Sequence, residues 1–450
     1  MKNLNDVINQ ILSRLQPSEV IRQAIHIHGD QLLVKDEKYD ISGFMKIAVL
    51  GIGKASSAQV GEVCRIISAN KMAGKILMPG LAFTKYGHSV PAPEYEVFES
   101  AHPICDDFSI ESGKTLKAFL KGLPDDSLLI FCLSGGASAL VVTPRPPFTL
   151  EDLREITTQL IFKGNPIDQV NIIRRELSEF TNGGLVALAG SKTIVSLITS
   201  DIPIPRLPLV GSGPTLFEEL MPGEVVDLVK RTLTGSVRDK VVKYLESPER
   251  KQIQEEVKHA IKSAKVQNIT VSDFTQLMSC ATEALKANGV DDVKVIEPAL
   301  NTDIKTGIDG HMEGLKQMLN NKAHSWAIIS GGELTVDVKG RGQGGRNTEF
   351  VLWMTKALFR DNVLKLPVEV LREIEVWSVG TDGTDARTDY AGAWMNFELY
   401  KKSVSLSLQI DKFLANNDSL NFFRPLNSLI KTGPTQTNLM DLRTIVYRGR

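Results

Sequence analysis

Residues 330–350 read SGGELTVDVKGRGQGGRNTEF, and this stretch sets the frame for the rest of the chain. An apolar run, Trp326 to Ile329, leads into Gly331, Gly332 and Glu333, and an alternating segment (Leu334, Val336, Val338) follows. A second glycine-rich turn, Gly340 to Gly345, then opens a helix, because Phe350, Met354, Ala357 and Leu358 recur at helical spacing. Its first residues are Arg346, Asn347 and Glu349. A cation in a helix's first turn faces the positive end of the dipole, where an anion is preferred. Arg346 is therefore misplaced for stability unless it and free backbone N–H groups share an anionic ligand. A glycine hairpin whose arginine points into water is the competing reading.

The same anomaly recurs near the N-terminus. Lys46 to Leu50 makes a short buried strand, which runs into Gly51-Ile-Gly53-Lys54-Ala-Ser56 and then a helix through Val60, Val63, Cys64 and Ile67. Strand, glycine turn and helix place backbone N–H groups around a phosphate. The dinucleotide fingerprint needs a third glycine where Ser56 stands, and the Walker motif needs glycine where Ala48 stands. Lys54 remains, a second cation at a helix start; a solvent-facing lysine on a tight packing turn is the alternative. A third such unit, Leu128 to Leu133, ends in Ser134-Gly135-Gly136-Ala-Ser138 without the GxSxG context of a hydrolase elbow. Ser134 and Ser138 read as hydrogen-bond donors to a ligand, or Ser138 as a plain helix opener.

At 450 residues the chain exceeds one usual core, so two domains are expected, 1–265 and 266–450, both α/β. Fifty-two basic residues against 53 acidic ones give a formal charge of −1 with no like-charge block. That argues against nucleic-acid or membrane-surface partners. The N-terminal stretch reads as an amphipathic helix (Leu4, Val7, Ile8, Ile11, Leu12, Leu15) and not as a signal peptide. Cys64, Cys105, Cys132 and Cys280 are scattered, which predicts free buried thiols in a reducing cytoplasm.

Residues 149–190 and 216–267 read as helical. In the first, Arg175 of the Arg174-Arg175 pair is expected on a solvated face. A strand from Thr193 to Thr199 ends in Ser200-Asp201, a candidate Mg²⁺ or hydroxyl partner or a turn residue. Asp382, Asp385 and Asp389 follow another strand end and could gather around a divalent cation, or be Asx-turn residues. Thr432 to Asn438 reads as a glycine turn before a short helix.

Ten stretches together resemble the type II glycerate kinases, the MOFRL family: GIGKAS, AHPICDD (101–107), LSGGASAL (133–140), NIIRRELS (171–178), SGPT (212–215), SGGELTV (330–336), GQGGRNTEF (342–350), GTDGTDARTDYAGA (380–393), NNDS (416–419) and TGPTQTN (432–438). They stand in family order and span nearly the whole chain. The resemblance implies two Rossmann-like α/β domains with the active site in the interdomain cleft. It also implies Mg²⁺- and ATP-dependent phosphorylation of D-glycerate at the 2-hydroxyl, with small-molecule partners and a homodimer left open. The family's essential lysine falls on Lys54 and its essential arginine on Arg346. Asp201 is implied as catalytic, Asp382 and Asp385 as metal-holding or proton-accepting. Gly51, Gly53, Ser134, Gly135, Gly136, Ser138, Arg174, Gly331, Gly332, Glu333, Gly344, Gly345 and Asn347 are implied as substrate- or phosphate-binding.

Three departures bear on substrate. Glu176 replaces a family histidine, Thr181-Asn182 replace Lys-Gly, and Ile204-Pro205-Arg206 replace Gly-Asp-Asp. They leave two rivals standing: a hydroxypyruvate-type reductase, against which Ser56 speaks, and a non-catalytic member that binds a nucleotide or hydroxy acid.

Overall fold

Strand Ser127–Leu133 is buried along its whole length, and Lys46–Ile52 along all but its first residue. Runs that apolar on both faces belong in a parallel sheet covered by helices. The computed structural model, which describes residues 4–70, 76–162, 167–190, 192–200, 202, 207–319, 323–386, 388–433, 435 and 437–449, places them side by side at the centre of such a sheet. Two units make up the chain, Pro17–Ser272 and Met1–Gln16 with Asp273–Arg450.

The first unit holds a six-stranded sheet, parallel throughout. Its chain path starts at Lys46–Ile52, steps outward to Ile76–Lys85 and Tyr95–Ser100, and returns to the other flank. There it adds Ser127–Leu133, Thr193–Thr199 and Val266–Ser272. The direction of winding thus reverses between Lys46–Ile52 and Ser127–Leu133. In open α/β sheets that reversal leaves a crevice at the carboxyl ends of the two strands.

The second unit's sheet is mixed. Asp292–Asp303 and Ser325–Thr335 run parallel, while Asp441–Arg448 lies antiparallel between Ser325–Thr335 and Ile374–Gly380. Gly392–Asn396 and Leu429–Ile430 complete it, each antiparallel to its neighbour. Both units are α/β, as expected, but only the first has the all-parallel order of a doubly wound sheet.

Four expectations are corrected. The division anticipated after residue 265 falls after Ser272, because Val266–Ser272 pairs with Thr193–Thr199 as an edge strand of the first sheet. The amphipathic helix Leu4–Arg14 belongs to the second unit, where Val7, Ile8, Ile11 and Leu12 pack with Leu277, Met278, Ala281 and Leu285. The strand from Ser325 runs through Gly331-Gly332 to Thr335 without a break. No helix follows the turn at 432–438 among the described residues; the chain enters strand Asp441–Arg448 instead. All four cysteines are free and buried. Among the described residues no helix is long and apolar enough to cross a membrane.

Candidate functional site

The two strands at the winding reversal end in the lysine turn and the serine turn, and these interlock. Ser134 donates its N–H to Ile52 O (3.1 Å), Lys54 donates its N–H to Gly135 O (3.0 Å), and Ser134 Oγ accepts from Ala55 N (3.1 Å). Gly53 has φ +134°, and a Cβ there would stand 2.2 Å from Ser134 Oγ. Only glycine permits that approach. Gly51 is required for packing, since a Cβ would meet Val60 Cγ2 at 2.5 Å. Ser134 is thus spent on joining the turns, whereas Ser138 stays half-buried. Helix Ser56–Ser68 begins two residues after Lys54, so Lys54 precedes the helix rather than lying in its first turn.

Beside these turns the charges that act most strongly on His102 are basic. Burial, reinforced by Lys54, Arg174, Lys85 and His88, pushes the His102 imidazole down to about 2. His88 is depressed as well, first by burial and then by Lys85 and Lys54. Burial brings Arg174 down to about 10, with only the Cys105 thiol opposing it. Arg174 donates to Pro103 O (2.7 Å), and among the described residues neither it, Lys54 nor Lys85 forms an ion pair. Three permanent cations without a paired carboxylate make a receptor for an anion.

Arg346 has a different setting. Helix Arg346–Thr355 does begin at this residue. Yet Arg346 Nε bonds Asp441 Oδ2 (2.6 Å), and Nη2 bonds Asp441 Oδ1 (3.2 Å) and Glu333 Oε1 (2.7 Å). The anion sought at this helix start is supplied by the chain itself. Asp385, fully buried, accepts from Asn347 N (3.0 Å), Thr348 N (2.8 Å) and Thr348 Oγ1 (2.8 Å). It caps a helix that begins 39 positions earlier in the sequence (385 − 346). A Cβ on Gly345 would stand 2.2 Å from Asp385 Oδ1. Asn347 is buried too, donating to Asp441 Oδ1 (2.9 Å) and accepting from Ser378 Oγ (2.5 Å). The glycine loop's donors are spent in the same way. Lys339 N and Gly340 N go to Asn417 Oδ1, Arg341 N to Asn416 Oδ1 and Gln343 N to Asp418 Oδ1. Gly344 lies against Ser419 Oγ. These residues build the loop; Arg346 stays half-exposed beside it, its side chain 36 % exposed and its Nη1 without a hydrogen bond among the described residues.

Behind Arg346 runs a buried polar chain that the sequence did not disclose. Arg443 donates to Ser330 Oγ (3.0 Å), Gly331 O and Gly332 O (3.1 Å), and its Nη1 lies 3.5 Å from Asp441 Oδ2. Burial lowers Arg443 to about 10. Ser330 Oγ in turn lies 2.9 Å from His311 Nε2, and His311 Nδ1 lies 2.6 Å from Gly307 O. A carbonyl only accepts, so Nδ1 carries the proton and Nε2 accepts from Ser330. The one local signal was Asp441 and Arg443, two residues apart and so on the same face of strand Asp441–Arg448.

The metal expectation changes on this geometry. Asp385 is occupied by the helix it caps, while Asp382 is exposed and accepts from Thr384 N and Thr384 Oγ1, both at 3.0 Å. Among the described residues no three His, Cys, Asp or Glu side chains cluster to hold an ion. Asp201 and the Ile204–Arg206 departure lie outside the described residues.

The remaining departures are internally compensated. Glu176, buried, is clamped by Arg250 through Nε–Oε2 (3.0 Å) and Nη2–Oε1 (2.7 Å). Arg175, expected on a solvated face, is buried and pairs with Glu218 and Asn182 Oδ1. Thr181 Oγ1 bonds Arg175 O (2.9 Å).

Residues 3–246 match the model of the family described as "Domain of unknown function (DUF4147)". The chain belongs to the DUF4147 family. Its second unit matches the MOFRL family model over residues 326–441, from the strand bearing Gly331-Gly332 to Asp441. Relatives bear out the resemblance read from the ten motifs. A Thermotoga maritima protein named D-glycerate 2-kinase is 28 % identical over 428 residues, covering 94 % of this chain and 96 % of its own. An Agrobacterium vitis protein whose provisional name is hydroxypyruvate reductase is 29 % identical, covering 89 % of this chain and 87 % of its own. A Thermotoga maritima glycerate kinase crystal structure shares the fold with a TM-score of 0.77 at 23 % identity, covering 98 % of each chain.

Proposed function

We propose that this DUF4147 member is a glycerate kinase, transferring the γ-phosphoryl group of ATP to the 2-hydroxyl of D-glycerate to give 2-phosphoglycerate and ADP. The observation that supports it best is the cluster of Lys54, Lys85 and Arg174, unpaired among the described residues, at the winding reversal of the parallel sheet. Phosphoryl transfer consists mostly of positioning and charge neutralisation, which such a cluster supplies. Lys54 and Arg174 would hold the glycerate carboxylate or the transferring phosphate. Arg346, kept in place by Asp441 and Glu333, offers Nη1 to another anionic oxygen. Mg²⁺ ordinarily rides on nucleotide phosphates with one or two protein carboxylates, and exposed Asp382 fits as a single ligand.

The name of the Agrobacterium relative favours a second reading, a reductase. Ser56 opposes it: this side chain fills the third-glycine position of the dinucleotide turn and bonds Phe83 O (2.8 Å). The non-catalytic reading rests on the losses at Thr181 and Ile204–Arg206; Thr181 bonds Arg175 O (2.9 Å), and residues 204–206 lie outside the described residues. NADH oxidation with hydroxypyruvate, run beside ATP consumption with D-glycerate, separates the activities. NMR of the phosphorylated product fixes the position.

A further inference from the structure

We infer that His102 is the proton acceptor for the substrate hydroxyl, a step that rests on the kinase reading above. Its imidazole lies against the serine turn: a Cβ on Gly136 would be 3.1 Å from His102 Cδ2 and 3.3 Å from Nε2. The same point is 3.5 Å from Lys54 Cγ, so the ring and the lysine stem flank one turn at the winding reversal. Among the described residues neither ring nitrogen makes a hydrogen bond.

The charged groups that act most strongly on this ring are basic: Lys54 from the lysine turn, Lys85 and His88 from the end of strand Ile76–Lys85 and the loop after it, and Arg174 from helix Ile167–Leu177. The nearest acid on the adjoining strand Tyr95–Ser100 is Glu99, which accepts from Gly87 N (2.9 Å) and Ser89 N (3.2 Å) and acts on His88. On its own segment Asp106 caps the next helix and accepts from Tyr86, and Asp107 pairs with Arg154. Burial first, and then those cations, keep the imidazole neutral in the free protein. An anionic substrate offsets them, and the imidazole gains basicity when the hydroxyl arrives. In the step, the hydroxyl oxygen forms a bond to the γ-phosphorus of ATP. The bond from that phosphorus to the bridging oxygen breaks, its electron pair leaving with ADP. The hydroxyl proton passes to His102 Nε2.

The test is steady-state kinetics of wild type, His102→Gln and His102→Asn across neutral to alkaline pH, with thermal melts as a folding control. Loss of general-base help lowers kcat about 100-fold with KM changed less than about threefold. The residual rate then climbs with pH as hydroxide takes the proton. A kcat within about threefold of wild type, a loss confined to KM, or a loss equal at every pH overturns the assignment. If only one variant folds, that variant decides. If wild type itself shows no glycerate-dependent ADP release, the kinase reading has failed and the role of His102 falls with it.

Discussion

Arg346 and Asp441 form a two-bonded pair across 95 positions of sequence, Nε to Oδ2 at 2.6 Å and Nη2 to Oδ1 at 3.2 Å. Asp441 is fully buried and also receives Asn347 Nδ2 and lies near Arg443 Nη1. Burial alone would depress Arg346, but Asp441 and then Glu333 outweigh it and hold the guanidinium above its ordinary range. Substituting Asp441→Ala leaves buried Arg443 without its carboxylate and should cost about 3 kcal/mol. Urea unfolding measures this, and a loss below about 1 kcal/mol would refute the pair's structural weight. Arg346→Ala should also destabilise measurably, because Asp441 loses its best partner. Arg346→Lys, which keeps the charge but not the fork, is the cleaner kinetic probe.

Lys54 behaves differently. It has no ion pair among the described residues and adds to the like charge around His102. Lys54→Met should lower glycerate-dependent turnover by at least about 100-fold. The melting temperature should stay within about 2 °C or rise, since repulsion is relieved. A marked fall in melting temperature would assign Lys54 to structure.

The Glu176–Arg250 clamp predicts strong coupling between helix Ile167–Leu177 and helix Pro248–Ser263. Each single alanine substitution leaves a buried partner unpaired and should cost about 3–5 kcal/mol. The double substitution should cost less than the sum by more than about 1 kcal/mol. Glu176→Gln should leave the glycerate KM unchanged; a large KM shift would return this position to substrate selection.

His311 gives a pH dependence with a definite sign. Burial first, and then Arg443, depresses its imidazole to about 3, below the ordinary value of 6.5. Between those values the unfolded chain binds a proton that the folded chain does not. Stability is therefore present above pH 6.5 and falls as pH drops towards 3, by up to about 1.4 kcal/mol per pH unit. His311→Gln should flatten that part of a stability–pH curve, and an unchanged slope would contradict the neutral imidazole.

Gly136 has φ +91° and lies under His102. Gly136→Ala adds both backbone strain and a contact with the ring, so the fold should lose about 1–2 kcal/mol. Activity should fall further than stability does, as measured by specific activity of the folded fraction. Equal activity would show that the seat of the ring is unimportant.

Local order was readable from the chain. Lys54, Ser134 and the helix starting at Arg346 are set by short runs of apolar residues interrupted by glycine, and the structure keeps each of these elements. What the chain hid is long-range pairing. Asp385 reads as a strand-end acid, yet it caps a helix formed 39 positions earlier, counted from residue 346. Glu176 reads as a charge reversal until Arg250, 74 positions on, is seen to neutralise it. Spacing arguments register neighbours within a turn or a strand, whereas these partners meet only through sheet order and helix packing. Asp441 and Arg443 were equally hidden, since their strand lies between Ser325–Thr335 and Ile374–Gly380, both far away in sequence.

The most direct test measures ADP release from Mg²⁺-ATP by wild type and Lys54→Met, with D-glycerate, L-glycerate, tartronate and no acceptor. The account predicts release that depends on D-glycerate in wild type and is nearly abolished in Lys54→Met. Release that ignores the acceptor, or that survives the loss of Lys54, would contradict it.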